Sequence, residues 1–229
     1  LSKNNNINDP LESVCTGKRL GNHLPVVFVY SGNGCQWQGM AKDLYLQDSV
    51  FANFFDALEQ RFESLIEYAL VTELLAEDAD SHMHLTDYAQ PLLFSIQVAL
   101  TQWLAVKGFE PDYVIGHSVG EVAAAWASGA LELDDAIAVI VARSAAQALT
   151  RGTGRMAVVA MPLEEIQTVL AKLDLTTSVE LACFNANESI TLAGALSHLA
   201  KIEAYCESQQ RFYRLLDLDY AFHSRFMDP

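Results

Sequence analysis

Apolar residues fall in short runs whose rhythm changes two thirds of the way along the chain. Val26-Val27-Phe28-Val29-Tyr30 is a β-branched and aromatic run bounded by Ser31-Gly32-Asn33-Gly34, which predicts a fully buried strand feeding a glycine turn. Between Ser49 and Leu75, Phe51, Phe54, Phe55, Leu58, Phe62, Leu65 and Ile66 recur at three- and four-residue steps, the pattern of a helix. Pro91 suits the first turn of a further helix, where its missing N–H would be unpaired anyway. That helix buries Leu92, Leu93, Ile96, Ala99, Leu100, Trp103 and Leu104 on one side. Tyr113-Val114-Ile115 predicts a second buried strand, and Glu121 to Ala127 a helix that Gly129 ends. Asp134 and Asp135 favour the positive end of another helix, running to about Leu149. Strand and helix alternate here, which predicts a parallel sheet covered on both faces.

After Arg155 the order is different. Strands are expected over Met156–Ala160, Val179–Phe184, Ser189–Ala193 and Phe212–Leu216, and helices over Leu163–Leu173 and Leu196–Ser208. The sequence β-α-β-β-α-β is the split, ferredoxin-like unit. The expected organisation is a polar, asparagine-rich linker over 1–24, a large α/β unit over 25–154, the small unit over 155–218, and a return to the large unit over 219–229.

Composition narrows the functional classes. With 51% hydrophobic and 19% charged residues in 229, the chain reads as globular. A net charge of −15 argues against nucleic acid, whose affinity comes from Lys and Arg neutralising phosphates. No run approaches a charge-free apolar span or a secretory signal, so no membrane association is expected. Cys15, Cys35, Cys183 and Cys206 share no metal-ligand spacing, which points to no metal and to a reducing, cytoplasmic setting. The start lacks an initiator Met and reads as a piece of a longer polypeptide. The charge is uneven: Lys107 is the only basic residue from Phe62 to Ala142, whereas eight of the fourteen lie between Arg143 and Arg225. That is either a solvated acidic face or local positive potential for an acidic ligand.

Gly116-His117-Ser118-Val119-Gly120 matches the G-x-S-x-G nucleophile elbow in its required strand–turn–helix context. The turn lifts the Ser118 hydroxyl to a helix N-terminus, where backbone N–H groups can stabilise an oxyanion. A serine needs a base. His117 adjoins the nucleophile and should point away from it. His23, His82 and His84 lie in polar stretches, and His198 lies early in a helix of the small unit. Elimination leaves His223, just after the last expected strand, as the best-placed base.

The residues then resemble a known family, the malonyl-coenzyme A:acyl-carrier-protein transacylases, and more closely the acyltransferase domains of type I polyketide synthases. The matching stretches, in the family's order, are Ser31 to Met40, Ala89 to Phe94, Gly116 to Glu121, Arg143-Ser144, Gly152 to Met156 and Tyr220 to Ser224. The resemblance runs from about Pro25 to Pro229. It implies an α/β-hydrolase-like body with an inserted ferredoxin-like subdomain, Ser118 as nucleophile and His223 as its base. It implies Arg143 as partner of a malonyl carboxylate, Gln90 in the acyl pocket, and the N–H groups of Asn33 and Val119 as the oxyanion hole. It also implies malonyl-coenzyme A as substrate, the phosphopantetheine of an acyl carrier protein as acceptor, no tightly bound cofactor, and neighbouring synthase domains such as a ketosynthase.

Read alone, without the resemblance, Arg143 is a surface arginine on an amphipathic helix. The first motif departs from the family's Pro-Gly-Gln-Gly, since Ser31-Gly32-Asn33-Gly34 keeps the backbone donor but loses the stiffening proline and the longer side chain. Cys35 replaces a small Ser or Ala and reads as a buried thiol. Only six residues follow His223, whereas the family continues for several tens. Val119 and Phe222 resemble malonyl-selecting members, Phe222 by narrowing the space at the α-carbon, while Tyr220 resembles methylmalonyl-selecting ones. The rival readings are a serine esterase or thioesterase, and a docking domain that has lost its chemistry.

Overall fold

The structure, a computed structural model, describes residues 24–228, so the expected linker lies almost wholly outside the described residues. Strand β1 (Val27–Tyr30) pairs in parallel with β2 (Tyr113–Gly116), with Val29 opposite Ile115. Helices α1 (Lys42–Gln47), α2 (Ser49–Phe62), α3 (Leu70–Leu75), α4 (Thr86–Val106), α5 (Gly120–Ala127) and α6 (Leu133–Ala148) complete this part of the chain. Asp48 starts α2 by accepting from the N–H groups of Val50 and Phe51, and its other oxygen accepts from the Trp103 indole at 2.9 Å. The fully buried Phe51, Phe55 and Phe62 join Leu92, Leu93, Phe94 and Ile96 of α4 in one core. Each such side chain contributes roughly 1.5–3 kcal/mol. Helix α4 is long and apolar enough to cross a membrane by composition, yet 61% of its most apolar window is buried in this core.

Three expectations are corrected. The helix expected over 49–75 breaks after Phe62, because Glu59 accepts from the Val71 N–H at 3.0 Å and so holds the start of a separate helix against its own flank. Pro91 lies inside α4 and not in its first turn, since the helix begins at Thr86. Proline has no N–H for the carbonyl of Asp87, and the Tyr68 hydroxyl takes that place at 2.7 Å. The parallel strands are not fully buried. Among the described residues one face of the pair is bare, with Val29 67%, Tyr113 64% and Ile115 57% exposed, while Phe28, Tyr30 and Val114 face the core.

The small unit comprises β3 (Arg155–Val159), α7 (Leu163–Lys172), β4 (Val179–Ala186), β5 (Ser189–Gly194), α8 (Leu196–Ser208) and β6 (Tyr213–Leu215). Its sheet order is β4-β5-β3-β6 and every pairing is antiparallel, which is ferredoxin-like topology. Side chains alternate across it. Ala157, Val159, Ile190 and Leu192 pack beneath α7 and α8. Met156 and Ala193 turn the other way, onto Tyr220, Ala221 and Phe222. The two passages between units are tied together: Gly152 N–H donates to the Asp219 carbonyl at 2.9 Å, and Arg151 and Arg155 both pair with the Asp219 carboxylate.

Candidate active site

Strand β2 ends in the elbow, and Ser118 takes a left-handed backbone (φ 50°) that few non-glycine residues adopt. The turn closes through Gly120 N–H to the His117 carbonyl at 2.9 Å, and His117 N–H bonds the Tyr30 carbonyl at the end of β1. A Cβ on Gly120 would sit 2.2 Å from the Tyr30 carbonyl oxygen. A Cβ on Gly32 would sit 2.7 Å from the His117 ring and 3.3 Å from Ser118 Cβ. The first glycine loop therefore touches the elbow, and only glycine allows that approach.

Ser118 Oγ lies 2.8 Å from His223 Nε2, across 105 residues of sequence. In the Nδ1-protonated tautomer, Nε2 accepts the serine proton. His223 is itself left-handed (φ 58°), in a turn closed by Ser224 Oγ donating to the Ala221 carbonyl at 2.6 Å. Glu180 on β4 anchors this turn by accepting from Arg225 N–H at 3.2 Å and pairing with its guanidinium. Burial pushes the His223 imidazole below its ordinary pKa, and the charge of Arg143 and then His117 push the same way against Glu121. The ring is thus held neutral, the form a base requires.

Arg143, on α6, donates from Nη2 to Ser118 Oγ at 3.3 Å and from Nη1 to the carbonyl oxygens of Gln90 and Gln147. Burial lowers its pKa while Glu121 opposes. Gln90 is 1% exposed. It sits behind Arg143, bonded to Thr86, Gln147 and Arg143, and does not border the open cavity. That cavity, about 460 Å³, is bordered by Asn33, His117, Ser118, Glu121, Phe222 and His223 on one side and by Met156, Cys183, Asn185 and Thr191 of the small unit on the other. His117 borders it as well, and among the described residues it makes no hydrogen bond to Ser118 Oγ, whose partners are His223 and Arg143. Phe222 stacks on buried Tyr220, with centroids 5.0 Å apart and planes at 12°. Cys35 is exposed and not the buried thiol expected.

Asn33 and Val119 both belong to the Ser118 neighbourhood. Among the described residues neither backbone N–H donates to a backbone carbonyl. Gln36 shapes the Asn33 turn: its amide donates to Asn33 Oδ1 at 2.9 Å and its carbonyl accepts from Gly34 N–H at 2.7 Å. Gln36, Gln147 and Glu180 escaped the sequence reading. Gln147 carried one signal, its position one turn after Arg143; Glu180 carried none, because its partner lies 45 residues away.

A serine at the tip of a strand–turn–helix elbow, faced by a histidine from beyond an inserted antiparallel unit, is the arrangement of α/β enzymes that hydrolyse or transfer acyl groups. The acyl transferase domain family matches residues 27–229, and the chain belongs to it. It is 36% identical over 221 residues to the phenolphthiocerol synthesis polyketide synthase type I Pks15/1 of Mycobacterium marinum, covering 96% of this chain and 10% of that protein. It is 34% identical over 208 residues to the highly reducing polyketide synthase sphB of Aspergillus fumigatus, covering 88% of this chain and 8% of that one. The chain therefore spans about a tenth of these relatives' length. Among solved structures, it resembles a loading acyltransferase of the avermectin modular polyketide synthase (TM-score 0.79, 32% identity, 87% of this chain and 63% of that one). It also resembles the malonyl-CoA:ACP transacylase of Synechocystis (TM-score 0.74, 29% identity, 89% and 66%).

Proposed function

We propose that this acyltransferase loads malonyl from coenzyme A onto Ser118 and passes it to the phosphopantetheine thiol of an acyl carrier protein within a larger synthase. The observation that carries the reading is a single oxygen, Ser118 Oγ, met by His223 Nε2 at 2.8 Å and by Arg143 Nη2 at 3.3 Å. A base and a carboxylate-binding cation thus converge on one nucleophile.

His223 takes the Ser118 proton as Oγ attacks the thioester carbonyl. The resulting oxyanion is stabilised by the N–H groups of Val119 and Asn33. Collapse breaks the carbon–sulfur bond, and His223 returns its proton to the departing coenzyme A thiolate. The carrier's thiol then attacks the acyl-serine, losing its proton to His223, and Ser118 Oγ leaves as the hydroxyl by taking that proton back. Arg143 holds the malonyl carboxylate through a planar fork that matches it better than a lysine would. Phe222, which borders the cavity, narrows the site against an α-methyl branch, a difference of about 1–3 kcal/mol.

Incubation with malonyl-coenzyme A and an acyl carrier protein tests this. Malonyl is expected on the carrier thiol, with little free malonate. Rapid malonate release without carrier acylation would indicate an esterase, and neither product would indicate a docking domain.

A further inference from the structure

Arg143, Gln90 and Gln147 form a closed triangle. Gln147 Oε1 accepts from Arg143 Nη1 at 3.0 Å and from Gln90 Nε2 at 2.7 Å, and Gln90 Oε1 accepts from the same Nη1. The amide orientations are not ambiguous. A guanidinium can only donate, so both glutamines must turn oxygen towards it, and Gln90 is left with its NH₂ for Gln147 and for Thr86 Oγ1. Both hydrogens of Nη1 are therefore committed to glutamine carbonyls. Since the guanidinium is a rigid plane, fixing Nη1 also fixes Nη2, which faces Ser118 Oγ. Gln90 is fully buried, whereas Gln147 is half-buried and closes the triangle from the same helix as Arg143.

We infer that Gln147 is a specificity-determining positioning residue. By accepting from Arg143 it aims Nη2 at the acyl group on Ser118, and so sets the preference for acyl chains ending in a carboxylate over neutral ones. The inference rests on the proposed acyl transfer. A neutral carbonyl is suited to this task because it orients the cation without neutralising it. A carboxylate at the same place would pair with Arg143 and stand where the substrate's carboxylate must compete.

The test uses the full-length protein and the mass of the proteolytic peptide carrying Ser118, after single turnovers with malonyl- or acetyl-coenzyme A. Gln147→Met keeps the volume and removes the acceptor. The ratio of malonyl to acetyl loading should fall roughly ten- to a hundredfold, the usual effect of losing a hydrogen bond to a charged group. Gln147→Glu should lower the ratio further, although it restores an acceptor, and a merely structural role would instead make it the milder change. Because the readout is a ratio, partial misfolding cancels. Unchanged ratios in both variants, or parallel losses of both acyl groups, overturn the inference while wild-type loading leaves the proposed function standing. If the wild-type protein takes no malonyl on Ser118, the two fall together.

Discussion

On the proposed function, Arg143→Ala should shift the acyl preference from malonyl towards neutral groups. Arg143 is the basic residue that bonds Ser118 Oγ, and its guanidinium is partly buried against Gln90 and Gln147. Without it, a malonyl carboxylate entering the site is desolvated and unpaired, at about 2–5 kcal/mol. At about 1.36 kcal/mol per decade this is roughly a thirty- to several-thousand-fold loss of malonyl loading. Acetyl has no carboxylate, so its loading should hold or rise. The same substitution leaves the buried Gln90 carbonyl without its donor, which should lower stability by about 1–3 kcal/mol. Measuring single-turnover acylation with both thioesters separates the effects, because lost stability alone would reduce both rates together. Parallel losses, or no loss of malonyl loading, would refute the assignment of Arg143 to the acyl carboxylate.

His223→Ala should slow acylation by roughly 10² to 10⁴ in the same single-turnover assay, the range for losing a general base; an equal loss from His198→Ala in its place would reassign the role. The pH profile should show an acid limb below the ordinary histidine value of 6.5, since burial and the charge of Arg143 lower the folded pKa of His223. Arg143→Ala removes one cause of that lowering, so the limb should move to higher pH. Tyr68→Phe should lower the melting temperature by the equivalent of about 1–3 kcal/mol, because the Asp87 carbonyl that Pro91 cannot serve would lose its hydroxyl donor; an unchanged melting temperature would show that water replaces it.

The small unit was legible to within two residues at its element ends, because β3 and β5 are apolar runs buried on both faces and its helices carry one apolar stripe. The parallel pair misled for the opposite reason. A run such as Val26 to Tyr30 reads as buried on both faces, yet Val27 and Val29 face outwards among the described residues. Pro91 misled because a proline deep in a helix needs a tertiary donor, and nothing local announces that Tyr68 supplies it. At the site, the elbow is legible because its geometry is local, from Gly116 to Gly120. The approach of His223 to Ser118 is a matter of tertiary structure, and elimination only pointed to it. The residues that hold these groups in place were barely marked: Gln36 is an ordinary glutamine in sequence, Gln147 is marked only by its place one turn after Arg143, and Glu180 acts on a turn that follows it by 45 residues.

In the proposed cycle every acyl group passes through Ser118. The direct measurement is the mass of the peptide spanning the elbow after brief exposure to malonyl-coenzyme A, in the wild type and in Ser118→Ala. The Ser118 side chain is small, and its loss removes hydrogen bonds to His223 and Arg143 with little packing, so the variant should fold. A malonyl increment is expected on that peptide in the wild type and none in the variant. An increment that survives Ser118→Ala would contradict the role of Ser118 as nucleophile.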